Sequence, residues 1–429
     1  IGYTKEKTII QMCLEGLRLE DFIASKNGST VVAFFKDPSA DIDEQDFAIV
    51  NNDRHKRYRY IKEWDAAISP DGKNVAYRVV ESVGSQENEF IVLNNQEGKR
   101  YFNVGVIFSP DGQRIAYVVR ERGNKGFVVL DGKEGPKYDM VSDIHFSPDS
   151  KNITYKATIN YTPFLILNNE IIDPKKYDAI RPFFTFSQDS KLVYQGYKKT
   201  DDEIFLIIGE RETKFPHWII DIPVFSPDGN KMAYKGKNNE GDFVVAIATG
   251  NKIQAHKGAY EDIDAITFSP NSENIAYSAC DGEKCFLVIN GVREKKYYNK
   301  INDIVLSPDS KSFAYSAVKE GEFDSSSYGK GAVDGEFVVI NQQEGKHYLR
   351  VNSLVFSPDS QKVAYRVLDG DPDIYARFLW GGGTDDLKND LRESVVVNNI
   401  EGEKYLNVTE PIFLEDNTLM YFAYDGSNI

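Results

Sequence analysis

Short apolar runs recur along the whole chain, each closed by a polar turn. Phe90-Ile91-Val92-Leu93 runs into Asn94-Asn95, and Phe127-Val128-Val129-Leu130 into Asp131-Gly132. Runs of this length, rich in Val, Ile, Phe and Tyr and bounded by Asn, Asp, Gly and Pro, read as β-strands. Many are apolar at consecutive positions, as in Val224-Phe225 and Ile266-Thr267-Phe268. Such strands are covered on both faces, as in sheets stacked between neighbours.

A tetrapeptide orders these runs. Ser-Pro-Asp followed by Gly or Ser begins at Ser69, Ser109, Ser147, Ser226, Ser307 and Ser357, with variants at Ser187 and Ser269 and a degenerate copy at Leu414. Successive starts lie 40, 38, 40, 39, 43, 38, 50 and 57 residues apart. A tyrosine follows each after seven or eight residues, from Tyr77 and Tyr117 to Tyr365 and Tyr421. A second element interleaves, an apolar run, a polar turn, then Lys and Tyr, as in Phe90 to Tyr101. The N-terminus carries a further copy of each. Thr8 to Gly16 matches the second element, and Ser25-Lys26-Asn27-Gly28 is a worn version of the first.

Each period therefore holds four strands, a to d. In one copy they are predicted at 105–109, 115–119, 127–130 and 137–141. Proline presets φ for the a–b turn, Asp accepts following amides, and Gly tolerates the exit geometry. Four strands per roughly 40–45 residues, repeated, predict an all-β chain folded as a β-propeller. The pattern resembles the TolB-type, WD40-like Pro-Asp repeat family over essentially the whole chain. That resemblance implies that strand a lines a central channel and d forms the outer edge. The Ser-Pro-Asp turns would lie on one rim and the b–c loops on the other.

Ten a–b and ten c–d pairs are counted, the chain opening on c–d (about Thr8 to Leu19) and closing on a–b (about Pro411 to Tyr424). The favoured reading is one closed ring of ten blades over residues 1–429, with one blade completed from both termini, which removes free edges. The alternatives are nine blades, or two smaller propellers in tandem. Opening on Ile1, the chain reads as one that has lost a leader or been excised from a longer protein.

Composition narrows the function. With 51 basic and 66 acidic residues the net charge is −15, which argues against a nucleic-acid partner. No apolar run approaches the ~20 residues of a membrane span. Three cysteines exclude a disulfide-built scaffold. Cys280 and Cys285 flank a short hairpin loop, where two buried thiols are preferred to a cross-hairpin disulfide. No Gly-x-Ser-x-Gly elbow or phosphate loop is present. His55, His145, His217, His256 and His347 fall in different repeats without metal-site spacing. His145 reads as packed or channel-facing. No cofactor, metal or catalytic residue is expected, and the chain reads as a non-enzyme.

The b–c loops carry the remaining signal. Summed in chain order, their formal charges are −5, −3, +2, 0, −1, 0, −1, −3 and −4, whereas the c–d turns sum to about +5. That predicts a disc acidic on the b–c rim and weakly basic on the other. Two adjacent b–c loops are long, at about 319–335 and 369–392. They supply the candidate partner-binding residues Phe323, Asp324, Tyr328, Asp369, Asp371, Asp373, Tyr375, Phe378 and Trp380. Calcium at Asp369 to Asp373 is disfavoured, since an EF-hand loop's glycine and distant glutamate are missing. Asn27, Asn152, Asn160 and Asn407 open Asn-x-Ser/Thr triplets.

The expectation is an interaction scaffold for a protein partner, in the periplasm or outside the cell, with the cytoplasm as the alternative location. Two further readings are a propeller enzyme or carbohydrate-binding module with its site at the channel mouth, and a regulatory domain of a larger protein.

Overall fold

A computed structural model of the chain describes residues 17–424. Outside it lie the ends, the two loops 320–334 and 371–390, and short breaks at 26, 84–85, 122, 124, 173–176, 201–202, 216–217, 220–222, 239, 250–251, 257 and 422. Nine antiparallel sheets follow one another, each in the order a-b-c-d. They occupy 18–58, 60–97, 103–134, 140–171, 179–215, 218–255, 262–293, 300–344 and 350–401, and are called sheets 1 to 9. In sheet 6 strand a is split into Trp218–Ile219 and Val224–Phe225. A closing a–b hairpin follows, pairing Asn407 with Tyr424 and Ile412 with Met420. The first strands of successive sheets approach one another while the d strands diverge. That radial stacking is a β-propeller.

The Ser-Pro-Asp turn is built from its own side chains. Ser69 Oγ donates to Asp71 Oδ1 at 2.6 Å and accepts the amide of Asn74 at 2.9 Å. Asp71 Oδ1 also accepts the amide of Lys73. The same bonds recur at Ser109, Ser147, Ser307 and Ser357. The fourth residue is left-handed, with φ of 73° at Gly72 but also 62° at Ser150 and Ser360. The serines offset that strain by bonding the preceding turn. Ser150 Oγ accepts the amide of Asp111, Ser272 that of Asp228, and Ser360 that of Asp309, each at 3.0 Å. Gly or Ser at this position is thus a choice between an unstrained turn and a tied one.

Most of the described c–d turns are two-residue hairpins with positive φ at both positions, as at Asn94-Asn95 and Asn398-Asn399. Asn94 Oδ1 accepts the amide of Val75, which places this turn beside the a–b turn on the same rim. Strand d leaves that turn, pairs briefly and ends at a tyrosine, such as Tyr101 bridging Glu89. In the predicted copy, d is Lys133–Glu134 and reaches Tyr138. Met140 and Val141, assigned to d from the sequence, belong instead to strand a of sheet 4. Leu19 likewise lies in strand a of sheet 1, Arg18–Ala24.

Those terminal tyrosines join the sheets. Tyr298 is 2% exposed and stands edge-on to Phe337 and Tyr315 of sheet 8, with centroids 5.7 and 5.9 Å away. Tyr58 meets Phe90, Tyr101 meets Phe127, and Tyr260 meets Phe286 in the same way. Each buried ring contributes roughly 1.5–3 kcal/mol by burial, and edge-on pairing adds to it. At the far end of the array, the side chain of Met420 lies against Gly28, so the last hairpin stands beside the first a–b turn. The strands expected at Thr8 to Gly16 fall outside the described residues.

Candidate functional site

The two rims differ in construction. One carries the a–b and c–d turns, tied turn to turn. The other carries the b–c loops. Of the candidate partner-binding residues only Asp369 is described; Phe323, Asp324, Tyr328, Asp371, Asp373, Tyr375, Phe378 and Trp380 lie outside the described residues. Asp369 ends strand b of sheet 9 and is ion-paired with Lys346 and Lys404. Bonding to Lys404, with the charge of both lysines, holds its carboxyl below the usual range against the opposing effect of burial.

The described bases of the c–d segments are shared between the two rims. Some of the bases that follow the c–d turns leave the turn rim, because strand d carries them back towards the b–c end. There they answer acids of their own sheet: Arg57 with Asp37, Arg100 with Glu81, Lys137 with Glu121, and Lys404 with Asp369. Others cross to the next sheet, as Lys56 to Glu97, Lys99 to Glu134 and Lys296 to Glu344. Arg293 lies 3.5 Å over the Phe286 ring while reaching Asp281. Solvent-exposed pairs of this kind contribute little each, but the first four offset b–c carboxylates at Asp37, Glu81, Glu121 and Asp369. The b–c loop of sheet 1 keeps an exposed tip, Asp41 to Glu44, around Ile42, which is 63% exposed. Its base is anchored by Asp37, whose carboxyl is lowered to about 2 by Ser39 and Arg57.

Cys280 and Cys285 face each other across strands b and c of sheet 7 and are bonded as a disulfide. This corrects the preference for free thiols. Spacing alone could not separate a facing pair from a diagonal one, and the register makes them direct partners, with Cα atoms 4.0 Å apart.

Sequence reasoning overlooked the bulge in strand a. Strand a bulges opposite strand b in most sheets, and the bulge takes one residue out of the pairing. The signal is a position four residues before each turn's first residue. It holds Asp21, Asp65, Asp143, Asp303 and Glu410, with Ala265 and Ser353 in other copies. Asp143, Ala265, Asp303 and Ser353 have φ between 44° and 58° there. Asp65 is tied to Arg78, while Asp143 and Asp303 are exposed. Trp64, 60% exposed, stands against Tyr60 beside Glu63. Burial, then the neighbouring carboxylates of Glu20, Asp21 and Asp46, push Glu63 upward.

The described histidines stay apart. His145 stands edge-on to Phe184 at 5.5 Å, and enclosure lowers its pKa against the pull of Asp143. His55 bonds the Tyr77 hydroxyl, and His347 stacks on Phe337 at 4.4 Å. Among the described residues, no three His, Cys, Asp or Glu side chains are grouped to hold a metal ion. No helix among them is long and apolar enough to cross a membrane.

No family model matches this sequence, and no curated protein matches it. Solved structures share the fold. The crystal structure of a eukaryotic initiation factor aligns over 79% of this chain and 89% of that chain, at 13% identity and a TM-score of 0.50. The β-propeller domain of the Trilobed protease from Pyrococcus furiosus aligns over 67% of this chain and 94% of that one, at 13% identity and TM-score 0.36. TolB from Acinetobacter baumannii aligns over 66% and 80%, at 16% identity and TM-score 0.31. At such identities the likeness is one of fold.

Proposed function

We propose that this propeller is a non-enzymatic scaffold that holds a protein partner on its b–c rim. The observation that supports the reading is the asymmetry of the rims. The turn rim is laced by side-chain bonds from one Ser-Pro-Asp turn to the next, as in Ser150 with Asp111. The b–c rim presents loops of unequal length on a rigid support, two of them long and on adjacent sheets. Variable loops on a rigid scaffold are where binding concentrates. The disulfide of sheet 7 favours an exported protein, since such bonds persist in oxidising compartments. Pull-down from the native source at low and high salt, against a variant shortened between Asp369 and Arg392, tests the reading. Loss of a specific partner in the shortened protein is expected; retention of every partner would overturn it.

A further inference from the structure

Where sheets 1 and 2 meet, their first strands both break register. In sheet 2 four residues, Glu63 to Ala66, stand opposite Tyr77 alone, whereas the bulges of sheets 4, 7, 8 and 9 hold two. Strand a of sheet 1 shifts between Leu19 and Asp21, and the two strands pack against each other. A bulge of this width re-aims side chains. It leaves Trp64 60% exposed, with its ring centroid 6.1 Å from that of Tyr60. An indole open to solvent beside a second ring offers a face on which a ligand can lie.

Carboxylates surround these rings. Burial first, then the charges of Glu20, Asp21 and Asp46, raises Glu63; burial, then Glu63, Asp46 and Glu20, raises Tyr60. The shared causes place these side chains in one neighbourhood. The nearby cations are committed: Lys62 to Glu89, Arg78 to Asp65 and Glu89, and Arg59 to Asp43. Lys36 comes no nearer than 4.0 Å to Asp46 Oδ1, which accepts no hydrogen bond although the Asp46 side chain is 8% exposed. The other oxygen of Asp46 accepts the Ile61 amide. Among the described residues neither Asp21 nor Glu63 has a basic partner; Asp21 accepts the amide of Phe22, and Glu63 its own. Half-enclosed carboxylates without a counter-ion repel one another, and a cation placed between them relieves that cost. The described residues do not group three ligands for a metal ion. An indole face flanked by carboxylates suits a weakly hydrated organic cation instead.

We infer that the junction of sheets 1 and 2 binds an organic cation, an alkylammonium or guanidinium group, seated on the Trp64 ring and neutralised by Glu63 and Asp21. The site lies on strand a and does not rest on the b–c rim reading. Calorimetric titration of the full chain at fixed ionic strength uses butylguanidinium, butylammonium, uncharged butyramide and calcium chloride as probes. Both organic cations should bind saturably, and butyramide and calcium should not. Glu63→Gln combined with Asp21→Asn should weaken cation binding at least tenfold. Trp64→Leu, which keeps apolar bulk at an exposed position, should weaken it about threefold, the loss of one exposed cation–π contact. Unchanged circular dichroism shows that each variant keeps the fold. A Gly-Arg-Gly peptide identifies the source of the cation: tighter binding than butylguanidinium assigns a protein side chain, weaker binding a free amine or guanidine. The variant shortened between Asp369 and Arg392 should bind the cations as the parent does, which keeps this result separate from the rim reading. No saturable heat, an equal response to butyramide or calcium, or unchanged affinity in the double variant would overturn the inference.

Discussion

Ser150 gives the sharpest test of how the turn rim is held. Its side chain is 3% exposed, its φ is 62°, and its hydroxyl accepts the Asp111 amide at 3.0 Å. Ser150→Ala removes the acceptor and keeps the left-handed strain. A partly buried amide left without a partner costs about 1–2 kcal/mol, so the variant should lose about that much. Ser150→Gly loses the same bond but relieves about 1 kcal/mol of left-handed strain, reproducing the unstrained state of Gly72 and Gly112. The glycine variant should therefore be about 1 kcal/mol more stable than the alanine one. Urea unfolding followed by circular dichroism, with equal m-values required across the series, reads both differences. If alanine at 150 matches the parent, the tie between neighbouring turns does not stabilise the rim; if glycine is as damaging as alanine, the left-handed backbone at 150 carries no strain to relieve.

Three further expectations follow from the same structure. The turn carboxylates Asp71, Asp111, Asp149, Asp228, Asp309 and Asp359 are all held below their ordinary value, chiefly by the serine hydroxyl. Their contribution is complete above the unfolded value of about 3.9 and is lost as pH falls through the lower folded values. Stability should decline with acidification below about pH 4, and Asp228→Asn, mimicking natural Asn271, should flatten the slope by up to one proton. Replacing both Cys280 and Cys285 by Ser removes a closed loop of about six residues, for which chain entropy gives a loss of about 2 kcal/mol, measurable by denaturation without reductant. Tyr298→Ala should cost about 3–5 kcal/mol and Tyr298→Phe about 1 kcal/mol, because only the former empties the joint between sheets 7 and 8. Equal losses would show that the hydroxyl, which reaches Glu344 at 3.2 Å, dominates instead.

Much of the fold was legible because the turn residues mark strand ends. Ser-Pro-Asp closes strand a, and Asn-Asn or Asp-Gly closes strand c, so nine four-stranded sheets emerge close to where the runs predict them. Strand d was harder. Its pairing is two residues long in sheets 2, 3 and 4, and its continuation to Tyr101 or Tyr138 is a single bridge. That short pairing let Met140 pass for its end. The charge map has a related limit: Arg57, adjacent in sequence to a turn on one rim, climbs away from it to Asp37, whereas Lys56 and Lys296 stay beside the next sheet's c–d turn, at Asn95 and Gln342. The acids at the bulge position were in plain sight at a constant distance from the turn. A bulge, however, is set by backbone pairing, and no residue type at Ala265 or Ser353 announces left-handed geometry.

The contact between Gly28 and Met420 has a mechanical consequence. Elsewhere, many neighbouring sheets share a tyrosine wedge, a serine tie or a lysine-to-glutamate strut. At this junction the described residues bring together sheet 1 and a hairpin of only two strands. Solvent breathing should therefore begin at that seam and spread inward from both flanks. Amide deuteration would rise first in 18–36 and 407–424, with sheet 7, far from that seam and cross-linked between its strands b and c by a disulfide, exchanging last.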